Sequence, residues 1–123
     1  MSDLASRSCI PCRGGVPPLT DEQIAPLLAQ LESGWQVVER ADPKRGTVQT
    51  LRRDYRFADF AGALQAAVRI GEIADEQQHH PDLYVAWGKL EVAIWTHKIG
   101  GLTESDFVFS AKCDAIVRSL PAQ

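Results

Sequence analysis

Residues 75–106 read DEQQHHPDLYVAWGKLEVAIWTHKIGGLTESD. Proline disfavours the helical region for the residue before it, so Pro81 makes any helix entering this stretch stop by about Gln78, with His79 and His80 at its end. Residues 83–87 then have strand composition, Gly88 sits at a turn, and residues 89–97 alternate. Leu90, Val92, Ile94 and Thr96 fall on one face of that strand, while Glu91, Ala93, Trp95 and His97 fall on the other. After Gly100 and Gly101, Thr103 followed by Asp106 has the pattern of a capping box and opens a helix. One short segment therefore holds a helix end, a hairpin and a helix start.

Working outward, the helix that ends here is the clearest in the chain. Phe57, Phe60, Ala61, Leu64, Ala67, Val68 and Gly71 trace one face at helical spacing, Ile73 and Ala74 continue it, and Asp59, Gln65, Arg69 and Glu72 lie elsewhere. The pattern predicts that this stripe packs on a sheet. Upstream, residues 35–40 and 47–57 read as strands joined by the turn residues Asp42, Pro43 and Gly46, an antiparallel hairpin with one wet face. Before them Thr20 and Gln23 make a capping-box pattern, and Ile24, Leu27, Leu28 and Leu31 follow at amphipathic spacing. Pro26 should weaken that helix unless it falls near the first turn. Beyond Thr103 a last helix carries Phe107, Val108, Ala111, Ala115, Ile116 and Leu120.

The order α-β-β-α-β-β-α predicts an α+β fold, a two-layer sandwich in which three helices cover one face of a four-stranded antiparallel sheet. Residues 1–18, rich in Ser, Pro and Gly, are expected to form a flexible arm, and residues 19–123 a single domain. One sheet face is left uncovered and a strand edge unpaired, which predicts self-association as a homodimer or homotetramer.

With 123 residues, 45% of them hydrophobic, the chain has enough apolar surface for one core and no second domain. Thirteen Lys and Arg against sixteen Asp and Glu are scattered along the chain, which argues against a nucleic-acid footprint. No apolar run approaches the roughly 18 residues of a membrane span, and no basic-then-apolar leader pattern opens the chain, so no membrane partner is expected and the expected location is cytoplasmic. Cys9 and Cys12 form a Cys-x-x-Cys pair, which could be half of a zinc site or a redox pair. No second ligand pair follows it and it does not join a strand to a helix, so an incidental or structural role is expected.

All three histidines, His79, His80 and His97, fall within residues 75–106, together with Trp87 and Trp95. Singly, each has an ordinary reading: a helix-end residue helped by the dipole, a packed ring, a surface strand residue. Gathered, they point to proton transfer near neutral pH or to a metal site. Three imidazoles suit zinc, yet the adjacent His79 and His80 are poorly placed to chelate together from one backbone segment, so no metal is expected.

The spacing itself is specific. Asp75, three residues, His79-His80-Pro81, five residues, Trp87, nine residues, His97, eight residues and Asp106 resembles the signature of the pterin-4a-carbinolamine dehydratase family. The resemblance spans residues 17–120 and leaves the Cys-x-x-Cys lead-in outside. It implies dehydration of 4a-hydroxytetrahydrobiopterin, the carbinolamine left by an aromatic amino acid hydroxylase, to quinonoid dihydropterin and water, a step of tetrahydrobiopterin recycling that needs no cofactor. It implies further that His79 and His97 protonate the leaving hydroxyl from either side of the ring, and that His80 binds the pterin and handles the ring-nitrogen proton. Asp75 would orient His79, with Pro81, Trp87 and Asp106 as binding or orienting residues. Trp87 also reads as core filling and Asp106 as a helix-capping carboxylate. Animal proteins similar to this chain also serve as dimerisation cofactors of a transcription factor, so the alternative is a non-catalytic binding module of the same fold. The intact histidine set favours catalysis.

Overall fold

The structure, a computed structural model, describes residues 4–9 and 16–120. Its elements are α1 (Asp21–Leu28), β1 (Gln36–Asp42), β2 (Gly46–Arg56), α2 (Phe60–Gln77), β3 (Asp82–Ala86), β4 (Lys89–Ile94) and α3 (Glu104–Ser119), with a short 3-10 turn at Leu4–Ser6. The four strands form one antiparallel sheet in the order β1-β2-β4-β3, with the three helices packed over one face. This is the α+β two-layer arrangement that the element order predicts.

Residues paired across antiparallel strands share a face. Leu51 opposite Ile94, and Tyr55 opposite Leu90, therefore lie on one face with Val92, and all five are buried under the helices. On the other face Asp54 pairs with Glu91 and Arg52 with Ala93, and Arg52 is ion-paired to Glu91 at 2.8 Å. Arg40 of β1 and Asp82 of β3, from the two edge strands, are ion-paired across that open face.

Element edges shift for local reasons. The turn between β1 and β2 is tight because Asp42 Oδ2 accepts the backbone N–H groups of Lys44 (3.1 Å) and Arg45 (2.9 Å). Phe57, expected at the head of the helical stripe, instead directly follows β2: it is buried, and its N–H donates to Gly88 O at 2.9 Å. Asp59 becomes the N-cap of α2, its side chain accepting from Gly62 N–H at 2.8 Å. Pro26 lies inside α1, beyond its first turn, and that helix ends two residues later.

The larger correction concerns which side of α2 is buried. Ala63, Ala66, Ala67, Ile70 and Ala74 face the core, whereas Phe60, Leu64 and Val68 are 43%, 45% and 54% exposed. The buried flank is the small-residue one, and alanines let the helix approach its neighbours closely where larger side chains would hold it off. Two apolar stripes run side by side on this helix, and periodicity alone favours the bulkier of them.

Helix α3 is buried along residues 105–111. It carries Phe107 and Phe109 into the core and is pinned further along by Asp114. That buried carboxylate accepts from Trp35 Nε1 (3.0 Å), Tyr55 Oη (2.5 Å) and Arg53 Nη1 (2.6 Å), joining α3 to β2 and to the residue before β1. Residues 4–9, expected as part of a flexible arm, lie along α3. Leu4 is fully buried, Lys112 Nζ donates to Ala5 O at 2.9 Å, and Arg7 Nη1 donates to Glu104 Oε1 at 2.8 Å. One buried leucine stabilises by about 2 kcal/mol. Ordering several backbone residues costs more than that, so the hydrogen bonds are needed to hold the segment down. Cys12 lies outside the described residues.

Candidate active site

The end of α2 decides where the first two imidazoles go. Gln78 takes a left-handed conformation (φ 53°), its N–H donates to Asp75 O at 3.3 Å, and His79 N–H donates to Ala74 O at 3.1 Å. This is a Schellman closure, and it turns the chain sharply after the last helical residue. His79 is thereby directed inward and His80 outward. His79 Nε2 lies 2.6 Å from Asp106 Oδ1, with only 12% of its side chain exposed and the edge of the Phe109 ring 6.2 Å away between centroids. His80 is largely exposed, and its Nε2 lies 3.0 Å from Asp75 Oδ1.

The third imidazole comes from beyond β4. The strand expected to run through His97 ends at Ile94, and a single bridge between Thr96 and Gly101 continues the chain's course. A tight turn follows, in which Gly100 N–H donates to Thr96 O at 2.9 Å with Gly100 at φ +79°. A side chain at Gly100 would place Cβ 2.2 Å from Arg45 Nε, so glycine is required for the Arg45 guanidinium to lie here. Arg45 Nη1 in turn donates to His97 O at 3.2 Å. The His97 ring stacks on Trp95, centroids 4.0 Å apart and planes inclined by 19°, which fixes the plane of an otherwise exposed imidazole.

Asp106 joins these segments. It is fully buried in the first turn of α3, and Oδ2 accepts from Thr103 N–H (2.8 Å) and Thr96 Oγ1 (2.9 Å) while Oδ1 faces His79. One carboxylate therefore ties the α2 tail, the segment after β4 and the α3 start together. In the tautomer that donates from Nε2 to Asp106 Oδ1, His79 keeps Nδ1 for other work. The helix-capping contact that the sequence suggests for Asp106 is present, and the same carboxylate also touches His79.

His79, His80 and His97 line one cleft of about 630 Å³ with Gln77, Trp95, Thr96 and Lys98, and Ser8 and Cys9 complete its wall. Asp106 stands behind His79 rather than on the cleft surface, and Asp75 touches His80, not His79 as the resemblance implied. Pro81 sits between His80 and β3 and is not part of the lining. Trp87 lies at the β3–β4 turn, 74% exposed and away from the cleft, so the tryptophan beside the imidazoles is Trp95. The alternation that put Trp95 on the same strand face as His97 carried that information. Among the described residues no three His, Cys, Asp or Glu side chains are grouped as metal ligands.

Residues 17–116 match the family described as Pterin 4 alpha carbinolamine dehydratase. The chain belongs to this family. Two curated relatives carrying the name "Putative pterin-4-alpha-carbinolamine dehydratase" come from Rubrobacter xylanophilus and Rickettsia canadensis. The first is 50% identical over 116 residues, covering 94% of this chain and 100% of its own length. The second is 45% identical over 115 residues, covering 94% and 98%. Among solved structures, a transcriptional coactivator/pterin dehydratase from Brucella melitensis superposes with a TM-score of 0.69 at 28% identity, covering 81% of this chain and 98% of that one. A pterin dehydratase-like RuBisCO assembly factor of the alpha-carboxysome, at 17% identity and TM-score 0.55, covering 72% and 95%, shares the fold. The dehydratase family match begins after the segment that supplies Ser8 and Cys9. Among the described residues no helix is long and apolar enough to cross a membrane.

Proposed function

We propose that this chain dehydrates 4a-hydroxytetrahydropterins, 4a-hydroxytetrahydrobiopterin among them, to the quinonoid dihydropterin and water by imidazole acid/base catalysis. The observation that carries this reading is the convergence of His79, His80 and His97 on one cleft of about 630 Å³, a volume within the range of small-molecule sites. A protonated imidazole gives its proton to the C4a hydroxyl, the C4a–O bond breaks, and water leaves. A neutral imidazole takes the ring N–H proton, and the freed electron pair forms the new C=N bond. His79 and His97 serve as the acids and His80 as the base and pterin ligand, with Asp106 holding the His79 ring, Asp75 the His80 ring and Trp95 the His97 ring. The quinonoid product, once reduced by two electrons in a separate reaction, can serve another round of aromatic amino acid hydroxylation.

Self-association belongs to the same reading. The bulky apolar side chains Phe60, Leu64 and Val68 on α2, Tyr84 on the edge strand β3 and Trp87 just after it are surfaces a second copy would cover.

Dehydration of chemically generated 4a-hydroxytetrahydropterin tests the chemistry. Wild type should accelerate it, and His79→Ala combined with His80→Ala should slow it by at least about 10²-fold, the scale of general acid/base assistance. A double variant as fast as wild type would remove these imidazoles from the reaction. A wild type with no effect on the carbinolamine would leave the non-catalytic module as the better reading.

A further inference from the structure

Three chain segments build the cleft: the α2 tail with its two imidazoles, the Trp95–His97 stack with its neighbours, and the stretch ending in Ser8 and Cys9. The first two lie within residues 17–116, which the family model matches, and the third lies before residue 17, in a stretch that the alignment to the Rubrobacter relative, covering 94% of this chain, also reaches. That third segment is anchored at several points. Leu4 fills a fully buried slot, Ala5 O is held by Lys112, and Arg7 pairs with Glu104. Cys9 N–H donates to Gln77 Oε1 at 2.8 Å, and Cys9 Sγ lies 3.6 Å from Ser105 O.

The positions of these anchors matter. Gln77 is two residues before His79, and Glu104 and Ser105 immediately precede Asp106. The segment therefore fastens to the two elements whose ends hold the His79–Asp106 pair, and in crossing between them it lays Ser8 and Cys9 along the cleft.

We propose that residues 4–9 are a substrate-binding strap: docked through Leu4, they present Ser8 and Cys9 to the bound pterin and set how tightly the bicycle is held. This rests on the dehydratase reading and deepens it, adding a binding wall to a site whose acid/base groups all come from residues 17–116. A pterin has polar edges as well as apolar faces, and the Ser8 hydroxyl can donate or accept toward such an edge. If the competent cleft requires the strap to be docked, apparent affinity falls in proportion to the docked fraction.

Two variants test this with different risks to the fold. Leu4→Ser weakens docking from within the core, whereas Ser8→Trp keeps the anchors and crowds the cleft from an exposed position. Both are measured for biopterin binding by fluorescence titration, and for KM and kcat with the carbinolamine, with thermal melts to confirm folding. The expected result is a rise of about tenfold or more in the biopterin Kd and in KM for Ser8→Trp, a similar rise for Leu4→Ser, and kcat changed far less than KM. A Ser8→Trp variant that binds biopterin within twofold of wild type overturns the strap, whatever Leu4→Ser does. In that case a drop in kcat alone in Leu4→Ser would mean that the segment only steadies His79 and Asp106. A wild type that neither binds biopterin nor dehydrates the carbinolamine sinks the dehydratase reading instead, so the two failures are separable.

Discussion

Asp106 has two oxygens and three partners, and each partner comes from a different part of the chain. In Asp106→Asn one oxygen becomes an NH₂ group, which can no longer accept. Either the His79 contact or the Thr96 and Thr103 contacts must break. We expect kcat to fall about 10²-fold or more with KM changed much less, because the substituted group orients a reacting imidazole without touching substrate. Stability should drop by about 1–3 kcal/mol, the cost of leaving buried polar groups unpaired. Steady-state kinetics and a thermal melt read both, and a variant with wild-type kcat would show that the orientation of His79 is not used. At this scale the sequence was informative about which imidazoles share the cleft and silent about pairing. The spacing of His79, His80, His97 and Asp106 singled them out, but which carboxylate meets which imidazole depends on the left-handed turn at Gln78, a backbone state that a glutamine does not advertise. For the tryptophans the sequence held more, since strand alternation puts Trp95 on the side of His97, whereas the 74% exposure of Trp87 at the β3–β4 turn is visible only in the structure.

Helix α2 illustrates what patterning can and cannot settle for an element. Its existence, its length and its stop before Pro81 follow from apolar periodicity and from proline sterics, and the structure has them. The choice of buried flank does not follow, because Ala63, Ala66, Ala67, Ile70 and Ala74 and the bulkier Phe60, Leu64 and Val68 form neighbouring stripes. Packing distance decides between them, and that is a property of the neighbours. The outward stripe gives a prediction for the proposed self-association. Leu64→Glu, at an exposed position that leaves the monomer core intact, should lower the sedimentation mass of the assembly if α2 forms part of the contact. A wild type that sediments as a 13.5 kDa monomer at micromolar concentration would end that proposal.

For the molecule as a whole, the polar node around Asp114 couples its stability to pH. Burial pushes the Asp114 carboxyl up, despite the lowering effect of its Tyr55, Trp35 and Arg53 partners. Burial likewise pushes the Tyr55 phenol far above its ordinary value of 10.0, and the Cys113 thiol above its ordinary 9.0. In all three the folded chain holds its proton more tightly than the unfolded chain does. The stabilisation is therefore complete below the unfolded values and is lost as pH rises past them. For Tyr55 and Cys113 that loss begins at about pH 9 to 10, on the alkaline side. Tyr55→Phe should melt lower than wild type near neutrality, by about 1 kcal/mol for the lost hydrogen bond to Asp114, and should lose less stability than wild type between about pH 8 and 11. Parallel melts across that range check the sign, and identical slopes in the two proteins would show that the phenol is not the linked group. The layered architecture behind this node was legible from element order alone, whereas the node itself was not. Trp35, Arg53, Tyr55 and Asp114 are scattered over 79 positions and carry no shared motif.

The docking of residues 4–9 on α3 also bears on how the protein is made. Arg7 and Glu104 are 97 positions apart, and Ala5 and Lys112 are 107 apart, so a ribosome must have polymerised well into α3 before the slot for Leu4 exists. Contacts so distant along the chain form late, because closing a long loop must precede any gain from it. A segment translated ahead of the sheet and helices is thus among the last to find its place, and the imidazoles at positions 79, 80 and 97 are made before the cleft around them is finished.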